Sequence, residues 1–289
     1  MKVPDSIRAA FPERPADAHK YTVGTVAVVG GSSRFAHAPV ICGLGARAAG
    51  AGLVHLVVPD ASQIAAACLV PEATLMKLAA ACVPPRADVL AVGMGLGIAK
   101  SSEKILSRLL SGPGTRFVLD ADSLTILASW RAKSSKAALD QAEGKALVLT
   151  PHSGEAARLL ASTAEDVQRD RAAAAHAIAE RYRATCVLKG SRTIVVAPDG
   201  RSFTCEAGNP FMAMGGMGDL LSGVLAARWA RTGDPFTAAC AAVWLHASAS
   251  DDIVGAATPQ DPSIMNTAAR IGSLRVALER GGGKTGRKQ

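Results

Sequence analysis

The chain has 289 residues and a formal net charge of +8, and its composition is 49% hydrophobic, 19% charged and 4% aromatic, with 28 Gly and 15 Pro. That balance excludes a disordered or fibrous protein. Scattered basic residues and few aromatic platforms exclude a nucleic-acid binder, and the lack of an apolar run of about 18 residues excludes a membrane span.

Residues 1–20 are polar and punctuated by proline, and are expected to lie over the surface. Apolar runs then follow at Thr25–Gly30, Leu53–Pro59, Asp88–Gly93, Arg116–Asp120, Ala146–Thr150 and Thr185–Lys189. Ala-rich helix candidates separate them, near 39–50, 60–68, 101–110, 122–130, 153–160 and 165–183. Strands that are apolar throughout are buried on both faces, so this alternation predicts a mainly parallel sheet with helices on both sides. Ser191–Cys205 reads as a hairpin around Pro198-Asp199-Gly200. Helix candidates 217–232 and 235–250 follow, and the Gly/Lys-rich tail 281–289 is expected to be mobile. With no fixed-period repeat and no linker-like break, the expectation is one three-layer α/β domain over residues 1–289.

The strongest chemical signal is Gly208-Asn209-Pro210 through Gly215-Gly216-Met217-Gly218-Asp219, directly before an apolar helix. Glycines ahead of a helix let backbone N–H groups meet a ligand, and the helix N-terminus favours phosphate. The bland alternative is that Asp219 only caps the helix. The glycine density favours an anion hole at Gly215, Gly216, Met217 and Gly218. Asp219 is then the general base, accepting a proton from an attacking hydroxyl while the cradle neutralises the transferred group. Lys189-Gly190-Ser191-Arg192-Thr193 after a strand offers charge, access and a hydroxyl to phosphate; alone it would read as a hairpin with a solvated lysine. Thr150-Pro151-His152-Ser153-Gly154-Glu155 joins a strand end to a helix, where open parallel sheets bind ligands. His152 is a candidate substrate contact there; the alternative is a polar loop with Ser153 as the helix cap. Asp120 and Asp122 also close a strand, and either hold Mg²⁺ through water or, for Asp122, cap the next helix. Gly93-Met94-Gly95-Leu96-Gly97 has the spacing of a tight turn and lacks that of the dinucleotide fingerprint.

The six cysteines, Cys42, Cys68, Cys82, Cys186, Cys205 and Cys240, form no C-x-x-C pair. They predict neither a disulfide framework nor a zinc site, and most read as small core residues. With no signal-peptide pattern, the expected compartment is the cytoplasm. The tail Gly281-Gly282-Gly283-Lys284-Thr285 imitates a phosphate loop, but the required glycine six residues before the lysine is Leu278.

In order, Gly30-Gly31-Ser32, Gly50-Ala51-Gly52-Leu53, Leu119 through Leu124, Thr150 through Glu155, Lys189-Gly190 and Gly208 through Asp219 resemble the ADP/ATP-dependent NAD(P)H-hydrate dehydratases, a ribokinase-like family. The resemblance covers roughly residues 20–275. It implies a lyase reaction in which ADP or ATP phosphorylates the ring hydroxyl of hydrated NADH or NADPH, and phosphate elimination restores the ring. By position, Ala38, Gly95, His152 and Asp219 would contact the hydrate. Lys189, Gly190, Ser191, Arg192, Thr193 and Gly218 would hold the adenine nucleotide, with Mg²⁺ bridging its phosphates and no metal bound directly by side chains. It also implies a homotetramer and a separate epimerase in the same pathway. The chain departs from the family pattern at Met217, Phe35, His37 and Thr125. Two other readings share the glycine cradle: a vitamin-precursor kinase of the same superfamily, and a nucleotide-binding sensor without turnover.

Overall fold

A computed structural model describes residues 3–79, 87–132 and 142–281. Nine strands form one sheet. In chain order they are β1 (Thr25–Val29), β2 (Leu53–Val58), β3 (Thr74–Lys77), β4 (Val89–Val92), β5 (Arg116–Leu119), β6 (Ala146–Leu149), β7 (Thr185–Leu188), β8 (Ile194–Val196) and β9 (Ser202–Thr204). Their spatial order is β3-β2-β1-β4-β5-β6-β7-β8-β9. Every pairing from β3 to β7 is parallel, and β8 and β9 join antiparallel as the expected hairpin. The central strands β1, β4 and β7 are buried at every residue, which explains their unbroken apolar runs.

Alternate residues of each strand feed two separate cores. Val26, Val28, Val89, Ala91 and Val187 point to one face. Ala27, Val29, Leu90, Val92, Leu119 and Leu188 point to the other. On the first face lie helices α2 (Ala38–Ala48), α9 (Met217–Thr232), α10 (Pro235–Val254) and α11 (Ile264–Gly281), with α3 (Asp60–Leu69) at its edge. On the second lie α4 (Lys100–Ser111), α5 (Asp122–Ala132), α6 (Ser153–Leu160), α7 (Ala164–Arg169) and α8 (Arg171–Tyr182). The three-layer α/β expectation is met, and the ribokinase-like order of elements places every parallel strand's C-terminal end on one rim.

Several local expectations change. The helix candidate 165–183 is two helices, because Asp170 leaves the helical region and caps α8 by accepting from the Ala173 N–H. Strand β3 carried no periodic signal, since it is a largely exposed edge strand. Helix α11 was not anticipated, nor was the short helix α1 (Asp5–Arg8). Residues 1–20 do not simply lie over the surface: Ile7, Ala10 and Phe11 are buried. Beneath them the buried Arg228 guanidinium sits 4.3 Å from the Phe11 ring centroid, donates to Ala10 O at 2.5 Å and pairs with Glu279 at 3.0 Å. Cys82 and residues 282–289, including the phosphate-loop mimic, fall outside the described residues. Among the described residues no helix is long and apolar enough to cross a membrane.

The tightest contact in the molecule joins α2 to α9. A Cβ on Gly223 would fall 1.8 Å from Cys42 O, and one on Gly45 would fall 2.2 Å from Leu220 O. Only glycine lets the two helix backbones touch in this way. Gly223→Ala must separate them, and overpacking of this kind costs on the order of 2–3 kcal/mol. Urea unfolding should show a lower midpoint with an unchanged slope; an unchanged midpoint would contradict the packing described.

Candidate active site

Four loops reach the same rim, and Lys189, at the end of β7, is their meeting point. Its backbone N–H donates to Pro151 O at 2.8 Å, tying it to the end of β6. Its Nζ lies 2.6 Å from Asp120 Oδ1 and 3.8 Å from Glu155 Oε2. Asp120 is 1% exposed. It also accepts from Ser222 Oγ at 2.7 Å and from the Ala121 N–H at 2.9 Å. A buried carboxylate is tolerated when paired and hydrogen-bonded in this way. Burial opposes the charge on Lys189, but Asp120 and Glu155 overcome that and hold its ammonium above the usual range. Burial raises the Glu155 carboxyl despite the nearby lysine.

The N-terminus of α9 closes the floor. Gly216 has φ +92°, and the first helical bond runs from Leu220 N to Gly216 O. The N–H groups of Met217, Gly218 and Asp219 precede it and have no partner within the helix. Gly218 has ordinary helical geometry; what requires glycine there is proximity, since a Cβ would stand 3.3 Å from Lys189 Nζ. The left-handed conformation belongs to Gly216. Asp219 is raised to about 7, first by burial and then by Asp120, against the opposing pull of Lys189.

Above this floor opens a cavity of about 750 Å³. Lys189–Thr193 form one wall and residues 206–215 another, and Leu221, Val243 and Ala247 give it an apolar side. The expected nucleotide residues Lys189, Gly190, Ser191, Arg192, Thr193 and Gly218 line it, together with Gly215 and His152. Ala38 and Gly95 are not in this lining. They meet each other instead: a Cβ on Gly95, at φ +66°, would lie 3.3 Å from the Ala38 Cβ and 2.5 Å from the Phe35 Cβ. The start of α9 adjoins α2 as well as the cavity: a Cβ on Gly216 would stand 3.0 Å from Ile41 of α2, and Met217 and Gly218 line the cavity.

His152, not Ser153, caps α6. Its Nδ1 accepts from the Gly154 and Glu155 N–H groups at 3.0 and 3.3 Å, and Glu155 Oε2 accepts from the His152 N–H at 2.8 Å. This is a reciprocal capping box with imidazole in the place of a hydroxyl. Ser153 Oγ accepts from Gln168. Asp122 makes a different contact from the cap considered: its Oδ2 accepts from the Gly97 N–H at 2.7 Å. That bond braces a loop in which Gly93, Gly95 and Gly97 all have positive φ. The described residues hold no group of three or more metal-ligating side chains. Both Asp120 oxygens already accept hydrogen bonds, from Lys189, the Ala121 N–H and Ser222.

Several residues of the site carried no sequence signal. Arg171, the first residue of α8, donates to Leu188 O, Lys189 O and Ser191 O. Asp251 on α10 accepts from the Gly208 N–H and Asn209 Nδ2, both at 2.8 Å, and fixes the Gly208-Asn209 elbow. Ser222 could be found only as one turn beyond Asp219. His246 adjoins the cavity's apolar side, and burial lowers it to about 4.

A family model described as NAD(P)H-hydrate dehydratase matches residues 26–269. The chain is 39% identical over 246 residues to the ADP-dependent (S)-NAD(P)H-hydrate dehydratase of Neisseria meningitidis, covering 84% of this chain and 81% of that one. It is 36% identical over 260 residues to the bifunctional NAD(P)H-hydrate repair enzyme of Gloeobacter violaceus, covering 87% of this chain and 49% of the relative. Against bifunctional relatives of that kind, the chain spans about half of their length. Among solved structures, the Bacillus subtilis ADP/ATP-dependent NAD(P)H-hydrate dehydratase co-crystallised with ATP/Mg²⁺ superimposes with a TM-score of 0.80 at 26% identity, covering 95% of this chain and 99% of that one.

The raised Asp219 has a consequence for stability. Its carboxyl titrates near 7 folded and near 3.8 unfolded. Between those values the folded state holds the extra proton, so stability falls as pH rises from about 4 to about 7. Asp219→Asn removes that penalty. The variant should melt at a higher temperature than wild type at pH 8, with a smaller gain at pH 5. An equal difference at both pH values would show that Asp219 is not raised.

Proposed function

The chain belongs to the NAD(P)H-hydrate dehydratase family, and from that premise we propose that it restores hydrated NADH or NADPH using ADP or ATP. The ring hydroxyl would be phosphorylated, and loss of phosphate would return the conjugated ring. The observation that carries this reading is the meeting of Lys189 and the start of α9 at one cavity, with the raised Asp219 next in the chain to its lining residue Gly218.

In this reading the adenine nucleotide occupies the cavity, with its phosphates toward Lys189, the Lys189–Thr193 loop and Gly218. Positive charge and oriented N–H groups are what a transferring phosphoryl group requires. Gly215, Gly216, Met217 and Gly218 contribute backbone rather than side chain, which suits an anion hole. Asp219 follows at the third position of the helix. A carboxylate titrating near 7 is half ionised at neutral pH and well matched to accept a hydroxyl proton. By the resemblance the hydrate would lie against Asp219, Ala38 and Gly95, and would meet the half-exposed His152 ring where that ring lines the cavity. Mg²⁺ would neutralise phosphate charge when bound with the nucleotide, with Asp120 and Asp122 reaching it only through water.

Asp219→Asn keeps size and helix-start geometry but cannot accept a proton. Turnover should fall by about 10² or more, while ADP affinity changes little. The wild-type profile of kcat/KM should rise with pH through about 7, the value to which Asp219 is raised. The measurement is regain of NADH absorbance from hydrated NADH with ADP or ATP. A wild type that regenerates no NADH defeats the dehydratase reading in favour of a kinase of the same fold. A variant with full turnover defeats the assignment of the base.

His152 needs two substitutions, because it is also a helix cap. His152→Ala removes ring and cap together, and losing a cap costs about 0.5–2 kcal/mol of stability. His152→Asn keeps a strong capping residue and removes only the ring. KM for the hydrate should rise roughly two- to twelve-fold in the Asn variant, the worth of one hydrogen bond, with KM for ADP unmoved. A rise in the ADP value alone would mean that the substrate and nucleotide sides are reversed.

A further inference from the structure

Arg171 stands at the first position of α8, where a cation opposes the helix dipole. Its partners explain why it is there. One terminal nitrogen donates to Ser191 O, and the other donates to Leu188 O at 3.1 Å and Lys189 O at 3.3 Å. The carbonyl between them, Gly190 O, accepts from Thr193 Oγ1 at 3.0 Å. The carbonyls from Leu188 to Ser191 are therefore each met by a side chain, while Leu188 also pairs with Ile194 of β8. Gly190 lies under the guanidinium with φ +147°, and a Cβ there would stand 2.9 Å from Arg171 Nη2.

This arrangement has a direct stereochemical result. In a trans peptide the C=O of one residue and the N–H of the next point in opposite directions. Turning Lys189 O and Ser191 O toward Arg171 turns the N–H groups of Gly190 and Arg192 away from it. The same loop forms a wall of the cavity. Backbone N–H groups turned to one side of a loop, with a left-handed residue among them (Arg192 has φ +54°), can form an anion-binding nest.

We propose that Arg171 is a positioning residue for the nucleotide: its guanidinium gathers the carbonyls of the Lys189–Ser191 loop and so presents the loop's N–H groups to a nucleoside diphosphate or triphosphate. The proposal rests on the reading that the cavity takes the adenine nucleotide. Arg171 itself does not touch the ligand. A lysine would not replace it, because a single ammonium lacks the planar fork that bridges three carbonyls.

The test uses the full chain and three variants, Arg171→Met, Arg171→Lys and Arg171→Ala, titrated calorimetrically with ADP and assayed for KM and kcat with ADP and hydrated NADH. The expected result is ADP affinity weakened by about tenfold or more in Arg171→Met, as an unordered loop must be fixed on binding. Arg171→Lys should recover only part of it. KM for the hydrate should stay at the wild-type value, so the loss appears on the nucleotide side alone. Guanidinium ion added at millimolar concentration to Arg171→Ala should restore part of the ADP affinity, which general damage to the fold would not allow. Wild-type ADP affinity in Arg171→Met overturns the proposal, and so does an equal loss of ADP and hydrate affinity. If wild type binds ADP but returns no NADH, the proposed reaction fails while the titrations still decide the role of Arg171. If wild type does not bind ADP, the nucleotide reading and the proposal fail together.

Discussion

The backbone contact between α2 and α9 at Gly45 and Gly223 is the constraint on which the site depends. Two helices cannot approach so closely if either carries a side chain at the crossing. Because they do, the start of α9 is held between the α2 start on one side and the end of β7 on the other. Gly216 adjoins Ile41 of α2, and Gly218 adjoins Lys189. One helix end thereby adjoins both surfaces proposed for binding, and Asp219 is the charged residue near that end. A small loosening of the crossing would move the N–H groups, the carboxylate and the Lys189 contact together.

The second requirement is electrostatic. Asp120, Glu155 and Asp219 crowd around a single lysine, with Asp122 also acting on Asp219. One cation does not neutralise this number of carboxylates in a desolvated site, so the surplus appears as raised acids. Asp120 is fully paired, and so the burden falls on Asp219 and Glu155. The same crowding that destabilises an ionised Asp219 suits it to the proposed role of base. Strain of this kind at a functional centre is offset elsewhere, here by two apolar cores whose strands are buried on both faces.

Much of this was legible in the sequence. The six central strands announced themselves because burial on both faces leaves unbroken apolar runs. The glycine-rich approach to Asp219 was legible because only backbone proximity and positive φ demand glycine at that density. What was not legible depended on distance in the chain. Arg171 is an unremarkable residue at a helix start until the fold brings the 188–191 carbonyls to it. Asp251 lies 43 residues from Gly208, whose elbow it holds. His152 was read as a substrate contact, with Ser153 as the cap in the alternative reading; the structure makes His152 itself the cap, which the sequence did not suggest because hydroxyls cap helices far more often than imidazoles do. Residues 1–20 looked polar on average, yet the three apolar side chains that anchor them were too few to shift that average.

The departures from the family pattern are best judged by what each position contributes. Met217 lies within the proposed anion hole, where the family more often has serine. Its side chain is buried in the core beneath the helix, and it offers the site only its N–H. A backbone donor is indifferent to the side chain it carries, so this substitution leaves the cradle intact. His37 is the residue ahead of α2 and makes no side-chain cap there, which again leaves the helix start to its backbone. Phe35 differs in kind. Its ring is half exposed, and its Cβ is pressed over Gly95 beside Ala38, so it stands at the edge of the surface proposed for the hydrate. Replacing a phenol by a phenyl there removes a hydrogen-bonding group while keeping the flat apolar face. The proposed cradle, built from backbone, is thus insulated from sequence drift, whereas the surface proposed for the hydrate is built from side chains at the rim, and there this chain is free to differ from its relatives.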